Sequence, residues 1–318
     1  DFFIPEFGYN KKVSPHVNLG VALYGNGGMN TDYTRNITLF GTSNAGVDLS
    51  QAFLSPAISV KFLEKNSIGL ALNVAYQRFK ATGLENFDNS TFSQYPGSVT
   101  NNKYDDAFGI GGRIGWISQL TSKISIGATY QTKTKMQEFD KYKGLFAQQG
   151  GFDIPENYAI GVAVKAFPKL TLAYDVQKIN YSDVKSVGTA LLPALFQSKL
   201  GNNDGAGFGW RDVIVHKIGA AYEVNDALTV RIGYNHAQQP IPQSETFFNL
   251  LAPGVVQDHL ALGATWKLSR SSDISFSYTH AFEDKVNGSG SIPSGFGGGE
   301  ANLKMYQDSF GVAYAYHF

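Results

Sequence analysis

The chain has no cysteine among its 318 residues, which excludes a disulfide scaffold, a thiolate metal centre and a cysteine nucleophile. Neither sign of charge is in excess, with 26 Lys and Arg against 26 Asp and Glu. Nucleic-acid binding and polybasic membrane-surface modules both need such an excess, so neither fits. Charge is scarce altogether, at 16% of residues, where a typical soluble domain carries roughly 25%. No run approaches the roughly 18 consecutive apolar residues of a membrane-spanning helix, which removes helical membrane proteins but not strand-built ones. Mean hydropathy is slightly negative, so low charge has not made the chain simply greasy. What is abundant is glycine, at 35, and aromatics, with 23 Phe, 17 Tyr and 3 Trp.

Alternation gives that composition a shape. Phe310, Val312, Tyr314, Tyr316 and Phe318 share one phase, with Ser309, Gly311, Ala313, Ala315 and His317 on the other. Leu260, Leu262, Ala264 and Trp266 alternate with Ala261, Gly263 and Thr265, and Leu228, Val230, Ile232 and Tyr234 with Thr229, Arg231 and Gly233. The same period of two runs through Ile68–Tyr76, Ile124–Tyr130 and Tyr158–Val164, and it predicts strands. A soluble sandwich solvates the second face with Lys and Glu. Here that face is Gly, Ala, Ser, Thr and Asn, the pattern of a closed barrel in lipid with small or polar residues inside. Tyr314, Tyr316 and Phe318 cluster at a strand end, where an aromatic girdle would sit.

The connections alternate as well. Short turns at Val13–Pro15, Leu63–Asn66, Leu120–Ser122, Phe167–Pro168, Asn225–Asp226 and Arg270–Ser271 separate long polar stretches at 26–47, 81–103, 139–156, 181–210, 239–255 and 287–303. Short periplasmic turns facing long extracellular loops are the signature of outer-membrane barrels. The readable strands number about thirteen, whereas bacterial single-chain barrels normally have an even count. An odd count leads to the expectation that a first ascending strand lies outside this chain, and that residues 1–318 form a single barrel domain.

Several stretches resemble the FadL-type outer-membrane transporters of long-chain fatty acids and hydrocarbons. They are Ile154-Pro155-Glu156-Asn157-Tyr158-Ala159-Ile160-Gly161, Leu170–Asp175, Ile179-Asn180-Tyr181-Ser182-Asp183, Gly207–Asp212, Leu228–Tyr234 with Pro240-Ile241-Pro242, Leu251-Ala252-Pro253 and the terminal Tyr316-His317-Phe318. The resemblance implies an all-β, transmembrane antiparallel barrel of fourteen strands, a lumen plugged by an N-terminal hatch, and diffusive uptake of hydrophobic molecules. The hatch and first strand of that pattern have no counterpart in this sequence, in agreement with the odd count, so hatch gating falls on no residue here.

Pro56 interrupts Asp48–Phe62, an otherwise good strand. Lacking an N–H, it marks either a kink that opens the wall sideways or a bulge near the rim; the resemblance implies a lateral opening near here. Leu191, Leu192, Leu195 and Phe196 in one loop, and Phe247, Phe248, Leu250 and Leu251 in another, are too apolar for exposed loops without a purpose. They read as a hydrophobic capture groove at the barrel mouth, or as residues that pack on each other to cap it. Arg113, Lys165, Lys217, Arg231 and Lys267 are the inward cations; Arg113, Arg231 and Lys267 are the candidates to hold a carboxylate by charge-assisted hydrogen bonds, with pairing to acids such as Glu223 as the alternative. Trp210-Arg211-Asp212 reads as structural, with the last two able to pair locally.

Catalysis finds little support. The six histidines are scattered, no nucleophile elbow or phosphate loop is present, and no metal-ligand spacing stands out, although Asp105-Asp106 could meet a cation at a loop base; neither an enzyme, a metal nor a cofactor is expected. The reading is a passive outer-membrane channel of a Gram-negative cell for fatty acids or related hydrocarbons, with lipid and lipopolysaccharide around it, working as a monomer. A general diffusion porin would call for charged rings and a charged inward loop, and an adhesin or phage receptor would use the loops alone.

Overall fold

The computed structural model describes residues 2–318. Its strands are β1 (Phe7–Lys12), β2 (Val17–Asn36), β3 (Asn44–Phe62), β4 (Asn66–Thr82), β5 (Asp105–Gln119), β6 (Ile124–Gln131), β7 (Lys135–Met136), β8 (Asn157–Phe167), β9 (Leu170–Ile179), β10 (Val213–Glu223), β11 (Leu228–Ala237), β12 (Asp258–Lys267), β13 (Ser272–Asn287) and β14 (Asn302–Tyr316). Apart from β7, each pairs antiparallel with the next in one continuous meander. The short β7 belongs to the same wall as β6, since both pair with β5. Arg113 faces Gln131, but Gly109 faces Met136, a slip of one residue that marks a bulge at 132–134. The first and last strands are brought together by Tyr9 and Phe318, whose rings stack at 5.9 Å.

Alternation decides which side each residue faces. Ile160 at 66% exposure, Val312 at 71% and Phe310 at 81% lie bare on the outside, where water would penalise them and lipid would not. The opposite phase of β3 and β4 carries Val47, Leu49, Phe53, Ala75 and Phe79, all buried. No helix is long and apolar enough to cross a membrane. The outward apolar faces belong to strands.

The wall is uneven in height. β6 has 8 residues and β12 has 10, while β2 has 20 and β3 has 19. Roughly 9–11 residues of tilted strand cross a bilayer, so the upper halves of β2 and β3 stand clear of it. This corrects the expected loop at 26–47. The polar residues after Gly25 continue the ladder through Asn30–Asp48 and Asp32–Gly46, leaving a connection of only 37–43. A strand above the membrane can be polar on both faces, which is why its sequence looks like loop. The other long connections fall close to where alternation placed them.

Candidate functional site

The upper end of the barrel is closed by a packed cap. Its centre is aromatic: Phe40 lies 4.9 Å from Phe247, Phe87 lies 5.1 Å from Phe248, and Phe79 contacts Tyr142 at 4.8 Å and Phe146 at 4.7 Å between ring centroids. These rings come from the 37–43, 83–104, 137–156 and 238–257 connections and from the inner face of β4. Tilted and edge-on pairs of this kind add to the burial that holds such a cluster together. The hairpin of β2 and β3 grips the cap from one side, with the Tyr33 hydroxyl donating to the Leu250 carbonyl at 2.6 Å and the Thr31 hydroxyl to the Leu251 carbonyl at 3.0 Å.

Of the apolar loop residues singled out from sequence, Leu191, Leu195, Phe247, Phe248 and Leu251 are buried in this cap, and Leu250 packs partly buried against it. Leu192 and Phe196 are exposed, at 39% and 50%. Phe196 lies 6.1 Å from Phe92, which sits 5.2 Å from Phe296, so an aromatic patch crosses the cap's outer face. Packing accounts for most of the set, and two members face outward.

The cap's connections are pinned by a carboxylate. Glu85 accepts hydrogen bonds from the Thr42 N–H at 3.0 Å, the Asn101 amide at 2.8 Å and the Ser43 hydroxyl. Its burial alone would raise its pKa. The hydrogen bonds from Ser43, Asn101 and backbone N–H groups, Thr42 among them, outweigh that and hold it at about 2. Trp210 is likewise structural, donating from its indole to Asn249 at 2.6 Å. Asp212 pairs with Lys178 at 3.6 Å and accepts from Ser182 rather than from its neighbour Arg211, because β9 and β10 present those groups side by side.

Beneath the cap the lumen is lined by amides and hydroxyls. Asn26 donates to Gln51, Gln51 to Gln77, and Gln77 to the Phe152 carbonyl, at 3.2, 3.1 and 3.1 Å. Arg113 is held by Gln131, Lys217 by Gln177 at 2.9 Å, and Arg231 by Thr265 at 2.7 Å. Of the proposed carboxylate contacts, Arg113 and Arg231 therefore point into a hydrogen-bonded lining, and Lys267 lies at the opposite end of its strand from the cap. None of the three is in an ion pair among the described residues, and Glu223 pairs with none of them. Sequence reasoning passed over the amides, although inward-phase Gln and Asn in strands are visible in the alternation.

At Pro56 the ladder of the wall is interrupted. On one side Pro56 and Ser55 stay in register with Val21 and Ala22 of β2. On the other, β3 pairs with β4 at Leu54–Val74 and again at Ala57–Ala71, but Ser55 and Pro56 have no ladder partner. The register is unchanged across the break, so this is not a bulge; the ladder loses the hydrogen bond that Pro56 cannot donate and then resumes. The missing proline donor faces β4. A hydrogen bond from the Ser55 hydroxyl to Asn73 Oδ1, at 2.8 Å, spans the interruption on the lumen side. Elsewhere the outer wall is dented rather than broken, with a depression of about 580 Å³ lined by Ile114, Trp116, Tyr130, Tyr158 and Ile160 and facing lipid.

No group of acids and histidines able to hold a metal ion occurs among the described residues, and Asp105 and Asp106 are engaged by Lys141 and Tyr76.

This architecture has solved counterparts. The toluene transporter TodX of P. putida superposes with a TM-score of 0.68 at 17% identity, over 99% of this chain and 82% of that one. The toluene transporter TbuX of Ralstonia pickettii gives 0.68 at 16% identity, over 99% and 81%. A FadL homologue of Pseudomonas aeruginosa gives 0.74 at 16% identity, over 99% and 78%. Likeness at these identities speaks for the fold. No curated protein sequence matches the chain. The model of the outer membrane protein transport family (OMPP1/FadL/TodX) matches residues 1–318 in full. With that match and an antiparallel barrel whose outer face is apolar, this chain belongs to the OMPP1/FadL/TodX family and is a transport protein of the outer membrane.

Proposed function

We propose that the chain is a passive channel for hydrophobic small molecules, long-chain fatty acids or related hydrocarbons, which enter at the cap and leave sideways at Pro56. The observation that carries this reading is the position of the ladder gap, with an aromatic cap above and a polar lining along the lumen beside it. A hydrocarbon descending the lumen would have to strip water from amides and guanidinium groups and leave them unpaired, at about 1–3 kcal/mol each. Leaving at Pro56 would displace the Ser55–Asn73 hydrogen bond and then reach lipid.

The exposed Leu192 and Phe196 would make first contact with the ligand, and the buried Leu191, Leu195, Phe247, Phe248 and Leu251, with the partly buried Leu250, would rearrange to pass it. Toluene, named for TodX and TbuX, is a member of the class such a path would accept. The channel would act as a single-domain monomer among outer-membrane lipid and lipopolysaccharide, without catalysis and without a cofactor. A diffusion porin for polar solutes fits poorly, since the mouth is filled by packed aromatic rings rather than ringed by charge.

The test is uptake of a labelled fatty acid, toluene and a disaccharide by cells in which this chain is the added route. Faster entry of the two apolar compounds with no change for the sugar supports the reading. Equal acceleration of all three would replace it with a porin.

A further inference from the structure

Directly across the ladder from Asn73 of β4 stands Gly111 of β5. Both positions face the lumen. A Cβ on Gly111 would lie 2.5 Å from the Thr134 hydroxyl, so glycine is what allows Thr134 to lie over this strand from the bulge between β6 and β7. Opposed positions on neighbouring strands hold their side chains about 5 Å apart. Asn73 and Thr134, which fills the space above Gly111, therefore converge on one point of the inner wall, beside Ser55 and the ladder interruption at Pro56.

Both side chains are buried, at 1% and 0% exposure, and both carry an atom with no partner among the described residues: Asn73 Nδ2 and Thr134 Oγ1. Their neighbours in the lining are satisfied. Gln77 gives its amide N–H to Phe152, and Gln51 gives its own to Gln77. Unpaired buried polar atoms are costly and uncommon, and two at one place need a reason. A third group lies within reach. Arg113 sits opposite Ala71, two positions along the same inner face, diagonal to Asn73. It is exposed to the lumen and, among the described residues, spends its hydrogen bonds on the single Gln131 oxygen, leaving other N–H groups of its five free.

An amide N–H₂, a hydroxyl and a guanidinium with N–H groups to spare can all donate. A carboxylate is the partner that uses them together, since it accepts only and has two oxygens. We propose that Asn73, Thr134 and Arg113 form a head-group subsite for the carboxylate of a single-chain amphiphile at the inner mouth of the Pro56 gap. The proposal rests on the uptake reading above and adds a selectivity to it. The head is held inside the wall by three donors while the alkyl tail leads out through the gap. A hydrocarbon without a head passes the same gap without using them.

The test pairs decanoate with decane, two probes that differ in the head alone. Uptake of each is measured for the unaltered chain, for the isosteric variants Asn73→Leu and Thr134→Val, and for Arg113→Gln. Loss of a hydrogen bond to a charged group predicts about a tenfold drop in decanoate entry for each variant, with decane entry unchanged. Equilibrium binding of decanoate to the purified protein in lipid nanodiscs is measured in parallel, so the subsite is judged even where transport fails. Circular dichroism confirms the β-sheet of each variant, and Arg113→Gln, on a different strand from Asn73→Leu, keeps the test alive if one of them does not fold. Decanoate binding that survives all three substitutions overturns the proposal, as does an equal loss of decanoate and decane. Binding without entry of either probe would instead overturn the uptake reading and leave the subsite standing.

Discussion

Ser55 and Asn73 are joined by side chains beside the ladder hydrogen bond that Pro56 cannot donate. Their 2.8 Å hydrogen bond lies within the stretch where β3 and β4 share no ladder pair. The cause is the neighbouring Pro56, whose ring replaces a donor that would face β4.

Pro56→Ala separates the effect of that missing donor on transport from its effect on stability. The substitution returns one ladder hydrogen bond, about 1 kcal/mol, and loosens the unfolded chain by about 0.4–1 kcal/mol. The two nearly cancel, so thermal stability should hardly change. The proposed exit, however, should close, and entry of toluene or a fatty acid should fall several-fold. Uptake and melting measured on the same variant check this; undiminished uptake would show that the gap is not the exit.

The aromatic cap makes the opposite kind of prediction. Phe247 is fully buried and contacts Phe40, Phe87, Phe248 and Phe296. Phe247→Ala should cost the cap about 3–5 kcal/mol. The barrel does not depend on those contacts, because its ladders lie elsewhere. Limited proteolysis should therefore cut the 238–257 connection readily while the β-sheet signal and melting of the barrel persist. Joint loss of cap and barrel would show that the two fold as one unit.

Much of this was legible in the sequence because a barrel wall repeats one rule. Residues such as Phe310, Val312 and Tyr314 announce both the strand and the side that faces lipid, since period-two alternation is a local property. Pro56 was legible for the same reason: one missing donor is written in one residue. Whether it shifted the register as a bulge was not, because that depends on how β3 pairs with Val74 and Ala71 on either side. The upper part of β2 read as loop because a strand above the membrane has no apolar face to show. The capture groove was only half legible. Leu195 and Phe196 are adjacent and equally apolar, yet one is buried and the other exposed, and only packing of Leu195 into a cluster contributed by other connections decides which. The convergence of Asn73 and Thr134 over Gly111 was invisible, being a product of cross-strand pairing and a one-residue slip.

Glu85 predicts a pH dependence of the cap. Its folded value of about 2 lies below its ordinary 4.5. A depressed carboxylate contributes stability that is complete above the ordinary value and is lost as pH falls toward the folded one. The connection at 37–43, tied through Thr42 and Ser43, should thus loosen between about pH 4.5 and 2 and be indifferent to pH above that window. Amide exchange at Thr42 and Ser43, corrected for its intrinsic pH dependence, reads this directly. Glu85→Gln should exchange faster at neutral pH and show no such window; a variant that keeps the window would assign it to another group.

Phe196 and Leu195 allow capture to be tested apart from folding. Phe196 is half exposed beside Phe92, whereas Leu195 is fully buried in the cap. An apolar ligand settling on Phe196 removes aromatic surface from water, worth about 25 cal/mol per Å², so it is drawn to the cap before any rearrangement below. Phe196→Asp removes that attraction without opening a cavity, because the ring already faces solvent. Its effect should be a several-fold slower entry of toluene at low concentration, with the same maximal rate once ligand is abundant, and an unchanged melting curve. Leu195→Asp buries an unpaired carboxylate and should instead break the cap open, raising protease sensitivity and admitting polar solutes. Concentration series of uptake for the two variants separate the cases. If Phe196→Asp lowers the maximal rate and leaves the low-concentration slope alone, ligand does not enter across this face.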